Sequence, residues 1–124
     1  KRYKIMKFKY FTYGEFDSPD LEDSGKLVSN ELISMLDVAR KNYGKSMVIN
    51  SGYRTVKHNA EVGGTPTSSH LKGLAADISC TNSTDRFKLE GILREVGFTR
   101  IGMGGTFIHV DIDKEKTQKV LWTY

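Results

Sequence analysis

Apolar residues along this chain follow two rhythms. From about Ser29 to Tyr43 they fall at Leu32, Ile33, Leu36, Val38 and Ala39, close to the 3.6-residue period of a helix, and Gly44 supplies the stop. Thr84 to Val96 repeats the pattern, with Phe87, Leu89, Ile92, Leu93 and Val96 as the apolar side, Ser83 or Thr84 as cap and Gly97 as terminator. Shorter runs read as strands: Met47 to Gly52, Ala75 to Ser79, Arg100 to Met103, Thr106 to Asp113 and, at an edge, Lys119 to Tyr124. Gly104-Gly105 reads as a two-residue hairpin turn. Val56 to Val62 suits a short helix closed by Gly63-Gly64, and Thr65 to Lys72 suits a polar loop. Gly14 to Gly25 is rich in turn and cap residues, and Phe8, Tyr10 and Tyr13 can lie against the body of the domain at the end of a loosely packed segment, 1–13. Strands mixed with two to three helices predict a small α+β domain, residues 1–124, around a central, largely antiparallel sheet.

Composition narrows the function classes. With 124 residues, 38% hydrophobic and 27% charged, the chain has enough material for one real core. Its net charge of +4 favours polyanions in general, and no nucleic-acid motif accompanies it, so nucleic acid is not an expected partner. The basic residues at Lys1, Arg2, Lys4, Lys7 and Lys9, and at Lys114, Lys116 and Lys119, read as solvated termini. No apolar run approaches the ~20 residues of a membrane helix, and Lys1 to Phe11 lacks the apolar stretch of a signal peptide. The single cysteine, Cys80, leaves no internal disulfide and no cysteine-built metal site; it reads as a small buried apolar residue.

Three ligand-type side chains interrupt the apolar strands. His70 and Asp77 stand seven residues apart around Gly73, and His109 is set into Phe107 to Asp111. Two histidines, a carboxylate and an open fourth position form the usual layout of a catalytic zinc. An unpaired carboxylate in an apolar strand is costly, so Asp77 needs either a cation or hydrogen bonds from backbone or Arg54. Strand alternation puts His109 and Asp111 on one face and Ile108 and Val110 on the other, and likewise separates Asp77 and Ala75 from Ala76 and Ile78.

The ordered set Ser51-Gly52-Tyr53-Arg54, Ser68-x-His70-x-x-Gly73-x-Ala75-x-Asp77 and His109 resembles the zinc D-Ala-D-Ala carboxypeptidases and L-alanyl-D-glutamate endopeptidases, over most of the chain from about Phe8 to Tyr124. That family shares a wider fold group with lysostaphin-type enzymes and the hedgehog signalling domain. The resemblance implies Zn²⁺ held by His70, Asp77 and His109, hydrolysis of an amide in peptidoglycan stem peptides, and Arg54 contacting substrate and stabilising the oxyanion. It places Ser68 near substrate. Trp122 and Tyr124, near the C-terminus, are expected to pack on the sheet, with flanking a cleft as the alternative. It also implies a monomeric phage or bacterial enzyme that reaches the cell wall by release. Many relatives carry a glutamate three residues before the last ligand, where this chain has Thr106. Asp111 is the substitute expected as general base, with orientation of a ligand as its alternative role. His58 is expected to stay out of the metal site, since a fourth ligand would close the open position. The rival reading is a zinc-bearing binding module of the same fold without catalysis.

Overall fold

The computed structural model describes residues 8–124. The basic residues at Lys1, Arg2, Lys4 and Lys7 and the first part of the segment 1–13 lie outside them. The rest of that segment is docked rather than loose: Phe11 is buried, Phe8, Tyr10 and Tyr13 pack against the core, and Asp37 accepts hydrogen bonds from the Lys9 and Tyr10 amides at 3.0 and 2.8 Å.

Three helices form where the periodicity places them. Helix α1, Asn30–Tyr43, starts at Ser29, whose hydroxyl accepts from the Leu32 amide, and ends at Gly44 with φ +76°. Helix α2, Val56–Glu61, is capped by the Thr55 hydroxyl. Helix α3, Ser83–Val96, is capped by Asn82, one residue before the expected Ser83 or Thr84. Leu89 and Leu93 are buried, but Phe87 is 84% exposed and Val38 of α1 also faces solvent. At 100° per residue Phe87 lies 200° around the helix from Leu89, on the opposite side.

Five strands follow: β1 Ile49–Ser51, β2 Ala75–Ser79, β3 Arg100–Met103, β4 Phe107–Asp111 and β5 Val120–Thr123. They pair in the order β1-β2-β4-β3-β5, antiparallel except for β3 with β5, which bears out the α+β reading with a largely antiparallel sheet. The β3–β4 connection spans Gly104 to Thr106, one residue more than the two glycines, closed by the Gly104 amide on the Phe107 carbonyl at 2.9 Å.

Alternation makes the two sheet faces unlike. Ala76, Ile78, Ile108, Val110 and Ile101 point into one core with Leu32, Leu36, Leu89 and Leu93 from α1 and α3. The cross-strand register aligns a different row on the other face. Ser51 pairs with Asp77, Asp77 with His109, His109 with Gly102, and Gly102 with Trp122. Residues directly opposite across a sheet share a face, so one polar row crosses all five strands.

Candidate metal centre

The middle of that row is the site. Asp77 and His109 are neighbours on β2 and β4, and the third member comes from the loop before β2. There Ser68 caps a 3₁₀ turn, Ser69–Lys72, by accepting from the His70 amide, and Gly73 ends it at φ +70°. The turn carries His70 inward, where its Nδ1 lies 2.8 Å from the Gly52 carbonyl oxygen. The ligand atoms of His70, Asp77 and His109 all lie within 4.8 Å of one another, and all three residues are buried. The expected triad is therefore brought together. His58 is not in it; it stands 3.8 Å from Glu61 on α2.

The protons show why this cluster suits a cation. A carbonyl oxygen only accepts, so Nδ1 of His70 carries the hydrogen and Nε2 offers a lone pair. That Nε2 faces Asp77 Oδ1 at 3.3 Å, and His109 Nδ1 faces the same oxygen at 2.8 Å. Lone pairs and a carboxylate oxygen converge on one point, which requires positive charge there, as protons or as a metal. Burial would raise the Asp77 pKa, but the two imidazoles facing its carboxylate, His109 foremost, outweigh it and hold the carboxyl well below the usual range. A buried His₂Asp set with one side open to a cleft fits zinc with a vacant coordination position.

Each of the three side chains is held from behind. Asp77 Oδ2 accepts from Arg54 Nη2 at 3.3 Å, which leaves Oδ1 for the centre. Arg54 also donates from Nε to Ser51 Oγ and from Nη1 to Asn59 Oδ1, and Asn59 in turn donates to the Thr65 carbonyl. Gly64 makes this possible: a Cβ there would fall 2.0 Å from Asn59 Oδ1. His109 Nε2 meets Asp111 Oδ2 at 2.8 Å. The other oxygen of Asp111 accepts from Arg100 Nε at 2.7 Å and from the Asp113 amide at 3.1 Å. Burial raises and His109 lowers the Asp111 pKa, with the histidine prevailing; on His109, burial lowers and Asp111 and Asp77 raise, with the carboxylates prevailing.

The triad opens into a cleft of about 470 Å³, lined also by Arg54, Ser68, Lys116, Trp122 and Tyr124. The expectation that Lys116 is merely solvated is corrected by this placement, and Trp122 and Tyr124 flank the cleft, the alternative their position left open. Sequence reasoning gave no role to Arg100, Asn59 and Asp113. Asp113 is buried and accepts from Ser69 Oγ at 2.7 Å and Lys72 Nζ at 3.0 Å, tying the His70 turn to the chain beyond β4. The available signal was the alternation His109-x-Asp111-x-Asp113, which sets a second acid two residues beyond the first. Thr106 lies exposed in the β3–β4 connection and offers no carboxylate. Cys80 is buried, and burial raises its thiol pKa, in keeping with an inert apolar role.

Comparison with known proteins agrees with this geometry. Residues 9–113 match the family model described as Peptidase M15. The zinc D-Ala-D-Ala carboxypeptidase of Streptomyces albus G is 36% identical over 100 residues, covering 73% of this chain and 39% of that protein. The chain thus spans about two fifths of the length of that relative. The matched stretch contains His70, Asp77 and His109 together with Arg54 and Ser68, and the chain belongs to the peptidase M15 family.

Proposed function

We propose that this chain is a zinc-dependent peptidase that hydrolyses an amide bond in peptidoglycan stem peptides. The observation that carries the reading is the buried His70–Asp77–His109 cluster, open to a cleft beside a guanidinium. His70, Asp77 and His109 would hold a zinc ion, which would supply Lewis acidity toward a carbonyl oxygen and toward water near neutral pH. The relative named a zinc D-Ala-D-Ala carboxypeptidase supports the substrate class.

The chain's own residues divide the remaining work. Arg54 stays charged, is fixed by Ser51, Asn59 and Asp77, and lines the cleft, so it holds a substrate carbonyl oxygen as negative charge develops there. The Ser68 hydroxyl accepts from the His70 amide and keeps its own hydrogen for substrate. Asp111 was the expected base, yet both of its oxygens are engaged and it is 2% exposed. Its geometry favours the alternative: Nδ1 of His109 faces Asp77 and would be the atom that holds a metal, while Asp111 accepts the Nε2 hydrogen and fixes the ring.

The test is digestion of purified peptidoglycan followed by mass spectrometry, with the zinc-loaded chain, with chelator, and with zinc restored. A defined fragment that vanishes with chelator and returns with zinc is expected, and its mass names the bond. The rival, a zinc-bearing module without hydrolysis, is kept in view by Thr106 in the place of the family glutamate. It gains the field if the zinc-loaded chain binds the wall and releases nothing.

A further inference from the structure

On the β5 side of the triad the cleft changes character. Gly102 stands opposite both His109 and Trp122, and a Cβ on it would fall 2.6 Å from indole atoms. The indole therefore lies directly over bare backbone, with its centroid 5.5 Å from the His109 ring and 4.9 Å from the Arg100 guanidinium. The loop before β5 is pinned beside it. Gln118 donates to the Asp113 and Lys116 carbonyls at 3.0 and 2.7 Å, Thr99 donates to Gln118, and Arg100 Nη1 donates to the Thr117 carbonyl at 2.6 Å.

This pinned loop presents Lys116 to the cleft. Its ammonium makes a long ion pair with Asp113 Oδ2 at 4.0 Å, beyond hydrogen-bond distance, and that oxygen already accepts from Ser69 and Lys72. The other cations of the cleft already carry hydrogen-bonded partners: Arg54 donates to Ser51, Asn59 and Asp77, and Arg100 to Asp111 and Thr117. Among the described residues, Lys116 is thus the cleft cation with no hydrogen-bonded partner. Three cations face two carboxylates in the cleft even before a metal adds its charge, so an anionic group is favoured there.

We propose that Lys116 and Trp122 form a carboxylate-reading subsite, in which the apolar stem of a substrate residue beside the scissile bond lies on the indole and its free carboxylate meets the Lys116 ammonium. The subsite sits on β5 and the loop before it, past residue 113 where the family match ends, and so belongs to the chain's own C-terminal strand. The proposal rests on the peptidase reading of the metal centre. The carboxylate has two possible sources, the C-terminus of a D-Ala-D-Ala peptide or the α-carboxylate of D-glutamate in an L-Ala-D-Glu peptide.

The experiment compares the zinc-loaded chain with Lys116→Met and Lys116→Arg on two peptide pairs. One pair is N-acyl-D-Ala-D-Ala and its C-terminal carboxamide; the other is an L-Ala-D-Glu peptide and its counterpart with that carboxylate amidated. Wild type is expected to favour the free acid of one pair by about tenfold or more in kcat/KM, mainly through KM, as for a charge-assisted contact. Lys116→Met should bring acid and amide to within about twofold by losing rate on the acid alone, and Lys116→Arg should restore much of the preference. The pair that discriminates names the source. Equal cleavage of acid and amide by wild type, or undiminished discrimination in Lys116→Met, overturns the subsite. Trp122 is the only tryptophan of the chain, so its emission also reports binding without turnover. If neither pair is cleaved by zinc-loaded protein, the peptidase reading fails separately. Acid-selective quenching lost in Lys116→Met would then still support the subsite, and its absence would overturn it.

Discussion

The two faces of the central sheet are built from alternate residues of the same strands and could hardly differ more. On the helix side, Ile78, Ile108, Val110 and Ile101 are fully or almost fully buried and carry no polar side-chain atom. On the other side, the row Ser51–Asp77–His109–Gly102–Trp122 carries an acid, an imidazole and an indole against a cleft. The dry face holds the strands in place by burial, at about 1.5–3 kcal/mol for each large aliphatic side chain. That stability lets the wet face concentrate two like-charged carboxylates, Asp77 and Asp111, around one histidine. Stability and chemistry are thus separated by one residue of register.

Changes on one face should leave the other face's property largely alone, and the triad offers the largest test. Asp77→Ala, or chelation of the wild type, should lower the proposed hydrolysis of wall peptides by at least about a thousandfold, as the carboxylate or the metal is lost. Circular dichroism should still report a folded chain, and zinc content should fall with activity. Ile108→Ala should do the reverse, costing about 2–5 kcal/mol in urea melts by leaving a cavity, with zinc still bound below the transition. A large loss of zinc affinity in that folded variant would show that the faces are coupled.

Asp111 sharpens the comparison, because it is buried like a core residue yet serves the wet face. Asp111→Ala should weaken zinc binding by about 10–100-fold in competition with a chelator, and Asp111→Asn, which still accepts from Nε2, by less. If both variants bind zinc like wild type and both abolish turnover, Asp111 is the general base after all. The smallest effect is expected at Asp113. Burial raises its pKa, but the Ser69 hydroxyl and Lys72 prevail and hold it below the ordinary 3.8. A depressed acid contributes stability above its unfolded pKa and loses it as pH falls through the folded value. Asp113→Asn should therefore cost about 1 kcal/mol near neutrality and flatten the loss of stability below about pH 4, read from urea midpoints.

Much of this was legible in the sequence because it is local. Helices α1 and α3 announce themselves through the spacing of Leu32, Ile33 and Leu36 and of Leu89, Ile92 and Leu93, and their stops through Gly44 and Gly97. The separation of His109 and Asp111 from Ile108 and Val110 needs only the two-residue period of a strand. The same local rule overreached at Phe87, which is apolar but sits on the wrong side of its helix.

The sequence by itself therefore determined the element types, the two faces of each strand and the candidate ligand set His70, Asp77 and His109. Only the tertiary structure decided what stands beside them. Strand order and register bring residues 51, 77, 109, 102 and 122 into one row, and those pairings join positions distant in the chain through packing of the whole sheet. Arg100 reaches Asp111 from β3, and Lys116 enters the cleft on a loop pinned by Gln118. No periodicity encodes such meetings, because a side chain's partner depends on which backbone lies next to it, and that is settled by the fold rather than by its sequence neighbours.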